Sequence, residues 1–342
     1  MLACVLRRVM WVALAFACHA AALTPPRPGH VLIDLAVEPR GELVASHSDG
    51  VFRSVDGGRS WRQMLPESGG AIVFDAGAHG LYANGAALYR SENWGASWSP
   101  VGAPHRIDAA DSEGTLYGCR EPDLERSRDG GRTWSPTSRP SAPAGAAWSC
   151  RNVFSTRDAI YAWSWAMLAR SGDGGATWTS IDTSAAGGSS HENFHVDAAG
   201  GLYLNSTSLE GPPHLQSIFR SRDEGRTWQR LTFGETSSRV GFRLLVVRGT
   251  TLFVEIQRID PRGETMPWDS DIRASAAGGP LRPLGVRPHI TVIDAHIVPS
   301  GEVIYIVDMY KITEARQTGT TGRRSAGRAS PTAIRASPPS TS

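Results

Sequence analysis

Lysine is almost missing: Lys311 is the only one, so nearly all the positive charge of this 342-residue chain is arginine. The formal net charge is +2, and Arg7, Arg8, Arg323, Arg324, Arg328 and Arg335, all near the two ends, exceed it on their own. The body between them is faintly acidic and lacks the basic stripe that tracks nucleic acid, so no nucleic-acid partner is expected. Long hydrophobic runs are missing too. Past the N-terminus no segment approaches the ~20 consecutive apolar residues that span a bilayer, which excludes a transmembrane helix from the mature chain. Cysteine is scarce, with four in all.

The opening residues MLACVLRRVMWVALAFACHAAALTPP have a basic start, an apolar run over 9–18 and small residues at 20–22, the grammar of an export leader. Residues 1–22 are therefore read as a signal peptide and the mature protein as periplasmic or secreted. Lipid attachment at Cys18 fits poorly, because Phe16 stands where a small residue is expected. Removing the leader takes Cys4 and Cys18 and leaves Cys119 and Cys150. In an oxidising compartment these two can pair, and two separate buried thiols fit the sequence equally well.

The chain is rich in tryptophan and glycine, with eleven and 37, and all but Trp11, Gly319, Gly322 and Gly327 lie in the body between the ends. Five of those tryptophans close a repeated octapeptide: SVDGGRSW from Ser54, SENWGASW from Ser91, SRDGGRTW from Ser127, SGDGGATW from Ser171 and SRDEGRTW from Ser221. Four positions recur: Ser54, Asp56, Gly58 and Trp61; Ser91, Asn93, Gly95 and Trp98; Ser127, Asp129, Gly131 and Trp134; Ser171, Asp173, Gly175 and Trp178; Ser221, Asp223, Gly225 and Trp228. A short carboxylate accepts bonds from the backbone of its own turn, glycine tolerates a left-handed conformation, and the tryptophan is a large apolar plug. An eroded sixth copy follows Ile272, with Ala274, Ala276 and Leu281 read at the serine, aspartate and tryptophan positions and Gly278 retained.

Upstream of each octapeptide come an apolar strand, a turn, and a second strand such as GLYANG, TLYGC or GLYLN. Each unit therefore reads as four short strands, with the octapeptide turning the third into the fourth. Units begin near Val31, Ala71, Arg106, Cys150, Asn193, Val240 and Thr291. The octapeptides resemble the Asp-box, or bacterial neuraminidase repeat, of the β-propellers in sialidases, sortilin-type receptors, xyloglucan-cleaving hydrolases and photosystem II assembly factors. The resemblance covers residues 31–316. It implies an all-β fold, a single propeller of four-stranded blades over 23–316, with seven blades, the last lacking its outer strand, or six as the alternative. It also implies that the boxes are structural, so no catalytic role passes to their aspartates. Residues 317–342, rich in Ser, Thr, Pro and Arg, read as a disordered tail.

One stretch invites another reading. SSHENFHVDAAGGLYLN contains HENFH, a literal HExxH zinc pattern at His191 to His195. On a strand the two histidines would stand ~13 Å apart, whereas two nitrogens on one zinc lie within ~4 Å of each other. Glycines on both sides leave no room for the helix that the motif needs, so no metal and no cofactor are expected.

In such propellers ligands usually gather where second-to-third and fourth-to-first loops meet. Two second-to-third loops are long, NSTSLEGPPHLQ and QRIDPRGETMPWD, and long loops are often functional. They place Glu210, His214, Arg258, Asp260, Glu264, Trp268 and Asp269 on one expected rim with His191, Glu192 and Trp165. Carboxylates beside an aromatic platform suit a sugar; packed tryptophans and solvated loop charges explain the same residues. The arginine-isoleucine-proline signature of sialidases is absent, the nearest match being Arg27 and Pro28. Arg106, Arg243, Arg258 and Arg287 are the arginines that would have to gather around a carboxylate. Asn205, Ser206 and Thr207 form a glycosylation sequon. The function expected is a monomeric binding or assembly scaffold for a protein or carbohydrate ligand, with a glycoside hydrolase as the alternative.

Overall fold

The computed structural model describes residues 18–317 apart from short gaps, the longest at 24–31, 208–215, 261–270 and 287–293. Among the described residues the chain forms seven antiparallel sheets of four strands each and no α-helix. The first strands of the seven sheets are Leu32–Val37, Ile72–Asp75, Ala109–Ala110, Asn152–Ser155, Ser190–Val196, Val240–Arg248 and Asp294–Ile297. Neighbouring sheets pack against one another around a centre, and Asp294–Ile297 returns to touch Leu32–Val37, which closes a ring. The architecture is a β-propeller, and each sheet is one blade.

Burial follows from that ring. Second strands lie mid-blade between two neighbouring sheets, so Leu43–His47 and Ile160–Ser164 are buried along their whole length. Outer strands meet water, and Arg62–Pro66 buries only Leu65. The core is accordingly a set of seams between blades: Val44, Val51 and Leu65 of the first blade pack on Val73, Leu81 and Ala83 of the second, and Tyr161, Trp163 and Leu168 of the fourth on Phe194, Leu202 and Leu204 of the fifth.

Each box is a closed hydrogen-bonded turn. In the third blade the Ser127 hydroxyl donates to Asp129 Oδ1 at 2.8 Å while accepting from the Gly131 N–H at 2.8 Å. Asp129 also accepts from the Thr133 N–H at 2.9 Å and its hydroxyl at 2.6 Å. Gly131 sits at φ 91°, and a Cβ there would meet Leu88 Cδ2 at 2.5 Å, so both conformation and space require glycine. Asn93 keeps the turn without the charge: it accepts from the Ser91 hydroxyl at 3.0 Å, and its amide donates to Ser97 Oγ at 2.9 Å.

The tryptophans are half-buried rather than fully enclosed plugs, because they cap seams from outside. Trp178 donates its indole N–H to Ser138 O, and Trp228 to Asp182 O, each 2.9 Å away and each at the end of the preceding blade. The arginine before the box serine adds a second stitch at the seam between the third and fourth blades, where Arg126 donates to Gly174 O at 2.5 Å.

The box hydrogen bonds set an acid limit. Bonds from the Thr133 side chain and backbone hold the Asp129 carboxyl down at about 2, bonds from Thr227 hold Asp223 at about 2, and Asp56 and Asp173 are lowered in the same way by Ser60 and Thr177. A lowered folded-state pKa contributes stability that is complete above the unfolded carboxylate value near ~4 and is lost as pH falls through the folded value. Thermal melts should therefore hold level from pH 7 to about 4 and fall between about 4 and 2. Melting unchanged at pH 2 would show that the boxes contribute no such linkage. Asn93→Asp should steepen the fall.

Two expectations are corrected, and the sequon is found inside the core. The last blade does not lack its outer strand: Cys18–Leu23 supplies it, pairing antiparallel with Lys311–Gln317 from Cys18 opposite Gln317 to Leu23 opposite Ile312. That strand begins inside the residues assigned to the leader. In the sixth box, Leu252 faces Ser275 as Leu202 faces Ser221, so the surviving serine is Ser275 rather than Ala274 being its replacement. The Ser275 hydroxyl donates to Gly279 O at 2.6 Å. Asn205 of the sequon is fully buried. It accepts from the Leu244 N–H at 2.9 Å and donates to Phe242 O at 3.1 Å, acting as a sheet partner for the next blade and leaving no room for a glycan. The region 318–342 lies outside the described residues.

Candidate functional site

Antiparallel blades have two ends, one carrying the second-to-third turns and one carrying the boxes. At the first end the structure places His191 and Glu192 at the start of Ser190–Val196 and Arg258 at the end of Thr251–Arg258, with Asp260 just beyond it. These four belong to adjacent blades and share that end. The HENFH motif is on a strand, with a register shift between His191 and Asn193. Trp165, Glu210, His214, Glu264, Trp268 and Asp269 lie outside the described residues, as does Arg287. Arg106 and Arg243 do not converge on a shared partner: Arg106 pairs with Asp108 at 2.5 Å, and Arg243 with the buried Glu255 at 3.4 Å. His105 is locked as well, bonded to Glu125 at 2.7 Å and stacked on Trp134 with ring centroids 3.6 Å apart.

Two large concavities open at the other end. A cavity of about 770 Å³ occupies the channel mouth, lined by Phe74, Asp75, His79, Asp108, Phe154 and His195 from four successive blades. Beside it a cavity of about 670 Å³ lies between the third and fourth blades, lined by Glu113, Tyr117, Arg128, Asp158 and Asp173. Asp111, Ser112 and Thr156 belong to both, so the two form one continuous depression.

One carboxylate of this depression, Asp111, is held by a device that recurs at Asp197 in the fifth blade. Asp111 accepts from the Glu113 and Thr115 N–H groups at 3.0 and 2.9 Å and from the Tyr117 hydroxyl at 3.0 Å. Asp197 accepts likewise from the Gly201 N–H at 2.7 Å and the Tyr203 hydroxyl at 3.1 Å. Burial, then the charge of Asp111, pushes the Tyr117 phenol up to about 12, so it stays a donor. Asp108 behaves differently: burial raises its pKa despite Arg106 and a 2.8 Å bond from the Cys119 N–H. The signal for the Asp–Tyr pairs was present in the sequence as an aspartate five residues before each Leu-Tyr of TLYGC and GLYLN. Among the described residues no cluster of three or more His, Cys, Asp or Glu side chains is placed to hold a metal.

No family model and no curated protein sequence matches the chain. Solved structures do, at low identity. An ancestral GH74 enzyme superposes with a TM-score of 0.58 at 14% identity over 85% of this chain, which spans only 46% of that enzyme. YCF48 bound to D1 peptide gives 0.60 at 15% identity, covering 88% of this chain and 95% of that one. A catalytically inactive virginiamycin B lyase from Staphylococcus aureus with quinupristin gives 0.58 at 13%, covering 88% and 100%. The shared feature is the fold. This chain is a β-propeller. At these identities the likeness extends to architecture alone, and the chain covers less than half the GH74 enzyme's length.

Proposed function

We propose that the protein is an exported Asp-box propeller that acts as a binding or assembly scaffold, taking an extended protein segment in the depression at its box end. The observation that carries this reading is the state of the carboxylates there: Asp75 accepts from the Gly77 N–H at 2.8 Å, and Asp111 from two N–H groups and a phenol. Acceptors fixed in this way present charge to a ligand but are poorly placed to shuttle protons. The depression crosses four blades, a length suited to an extended chain. YCF48, of similar architecture and almost the same span, is known with a peptide bound.

Ser112, exposed on a turn that lines both cavities, is the position to block. Peptide-array capture by the wild-type protein should weaken about tenfold or more in Ser112→Trp, equivalent to about 1.4 kcal/mol, with melting unchanged. Capture that Ser112→Trp leaves intact would move the site to the rim of His191, Glu192, Arg258 and Asp260.

The second reading, a glycoside hydrolase, is favoured by one group. Burial holds the Asp108 carboxyl toward its protonated form, as a general acid requires. Hydrolysis of an aryl glycoside that is lost in Asp108→Asn would establish that reading over the scaffold.

A further inference from the structure

Residues Cys18–Leu23 answer to two incompatible descriptions. In the sequence they include the small residues at 20–22 where the leader is expected to be cut. In the structure they form a six-residue ladder with Lys311–Gln317 and also lie against Arg282–Val286, the outer strand of the preceding blade. A cut after Ala22 would remove all of this strand but Leu23.

The leader contains a second site of the same kind. Leader-cleaving peptidases read small residues at the third and first positions before the cut. Ala20 and Ala22 satisfy that rule, and so do Ala15 and Ala17, which would place the cut directly before Cys18. The ladder also begins at Cys18. We infer that the leader is cut between Ala17 and Cys18, and that Cys18–Leu23 stays on the exported chain as the latch that completes the last blade. The inference rests on the reading of the protein as exported. In the cut, water adds across the Ala17–Cys18 peptide bond, leaving a carboxylate on the leader and an amine on Cys18.

Physical reasons favour keeping the strand. The ring closes on its inner side through Asp294–Ile297 and Leu32–Val37 without the latch, so the alternative is a folded propeller with a bare edge at Lys311–Gln317. Such an edge offers unpaired N–H and C=O groups to any extended chain. The latch sequence CHAAAL is weak in β-formers, and it need not be strong, because the ladder is made by the backbone.

N-terminal sequencing and intact mass of the protein recovered after export test the cut directly. Cys18 as first residue is the expected result, and Ala17→Leu should abolish that species while Ala22→Leu leaves it. A mature chain starting at Leu23 overturns the inference with export intact; an uncut chain starting at Met1 overturns the exported reading as well. A second measurement tests the latch itself in chains produced without the leader. The chain starting at Leu23 should melt about 5 °C or more below the one starting at Cys18. It should also bind a fluorescent CHAAAL peptide at least tenfold more tightly. Equal melting and no peptide uptake would show that the strand latches nothing.

Discussion

Replacing Trp134 by alanine is expected to lower stability by about 2–4 kcal/mol, somewhat less than for a fully enclosed tryptophan, because the side chain is half-buried. Two losses combine. The indole packs on the seam cluster of Ala76, Tyr82, Leu88, Ile107 and Leu116, joining the second blade to the third. Its ring also covers His105 at an interplanar angle of 2°, and His105 is the group that bonds Glu125 and the Arg106 carbonyl. Thr133→Ala supplies the comparison. Its hydroxyl donates to Asp129 Oδ2 within its own turn at 2.6 Å, and the loss there should be nearer 1 kcal/mol, about the value of one hydrogen bond. Chemical denaturation of both variants measures the difference. Equal losses would mean that the boxes stabilise only their own turns, and that the seams are held by the strands alone.

What the sequence made legible follows the same division between local and distant. The boxes were readable because their chemistry is contained in eight residues: Ser171 Oγ finds Asp173 and the Gly175 N–H at 2.7 and 2.9 Å with no help from elsewhere. The strand period of each unit was readable for the same reason, and it put the HENFH histidines on a strand. Features that depend on two distant segments were not readable. The pairing of Cys18–Leu23 with Lys311–Gln317 joins the two ends of the propeller, and an alanine-rich segment shows no alternation to announce a strand. The indole bond from Trp228 to Asp182 O and the Asn205 bridge to Leu244 likewise cross from one blade to the next. The expected rim is the intermediate case: strand positions bring His191, Glu192, Arg258 and Asp260 to one end, while the two long loops lie outside the described residues. The depression at the opposite end was missed because it is made by turns that the repeat marks as structural.

Removing the bridge between Cys119 and Cys150 is expected to have the other large effect. The structure joins them, with Cα atoms 5.3 Å apart. Cys119 lies near the end of the second strand of the third blade, Leu116–Arg120, and Cys150 directly precedes the first strand of the fourth. The bond therefore clamps one seam and closes a loop with a sequence separation of 31, which holds the third and fourth strands of the third blade, Asp123–Ser127 and Ser135–Pro136, and the connection to the fourth. For a loop of that length the chain-entropy relation gives about 3–4 kcal/mol. Cys150 is fully buried in the cluster of Ala109, Tyr117, Leu124 and Val153, and its N–H donates to Pro122 O at 3.1 Å. A serine there adds a buried hydroxyl to the lost constraint, so Cys119→Ala with Cys150→Ala is the cleaner pair. That double variant should melt about 6–16 °C below the parent, taking about 2–4 °C per kcal/mol for a chain of this size. Reduction of the parent with dithiothreitol should reproduce the shift, and the variant should not respond to it. A parent that melts identically with and without reductant would mean that packing at this seam, rather than the bond, holds the third and fourth blades together.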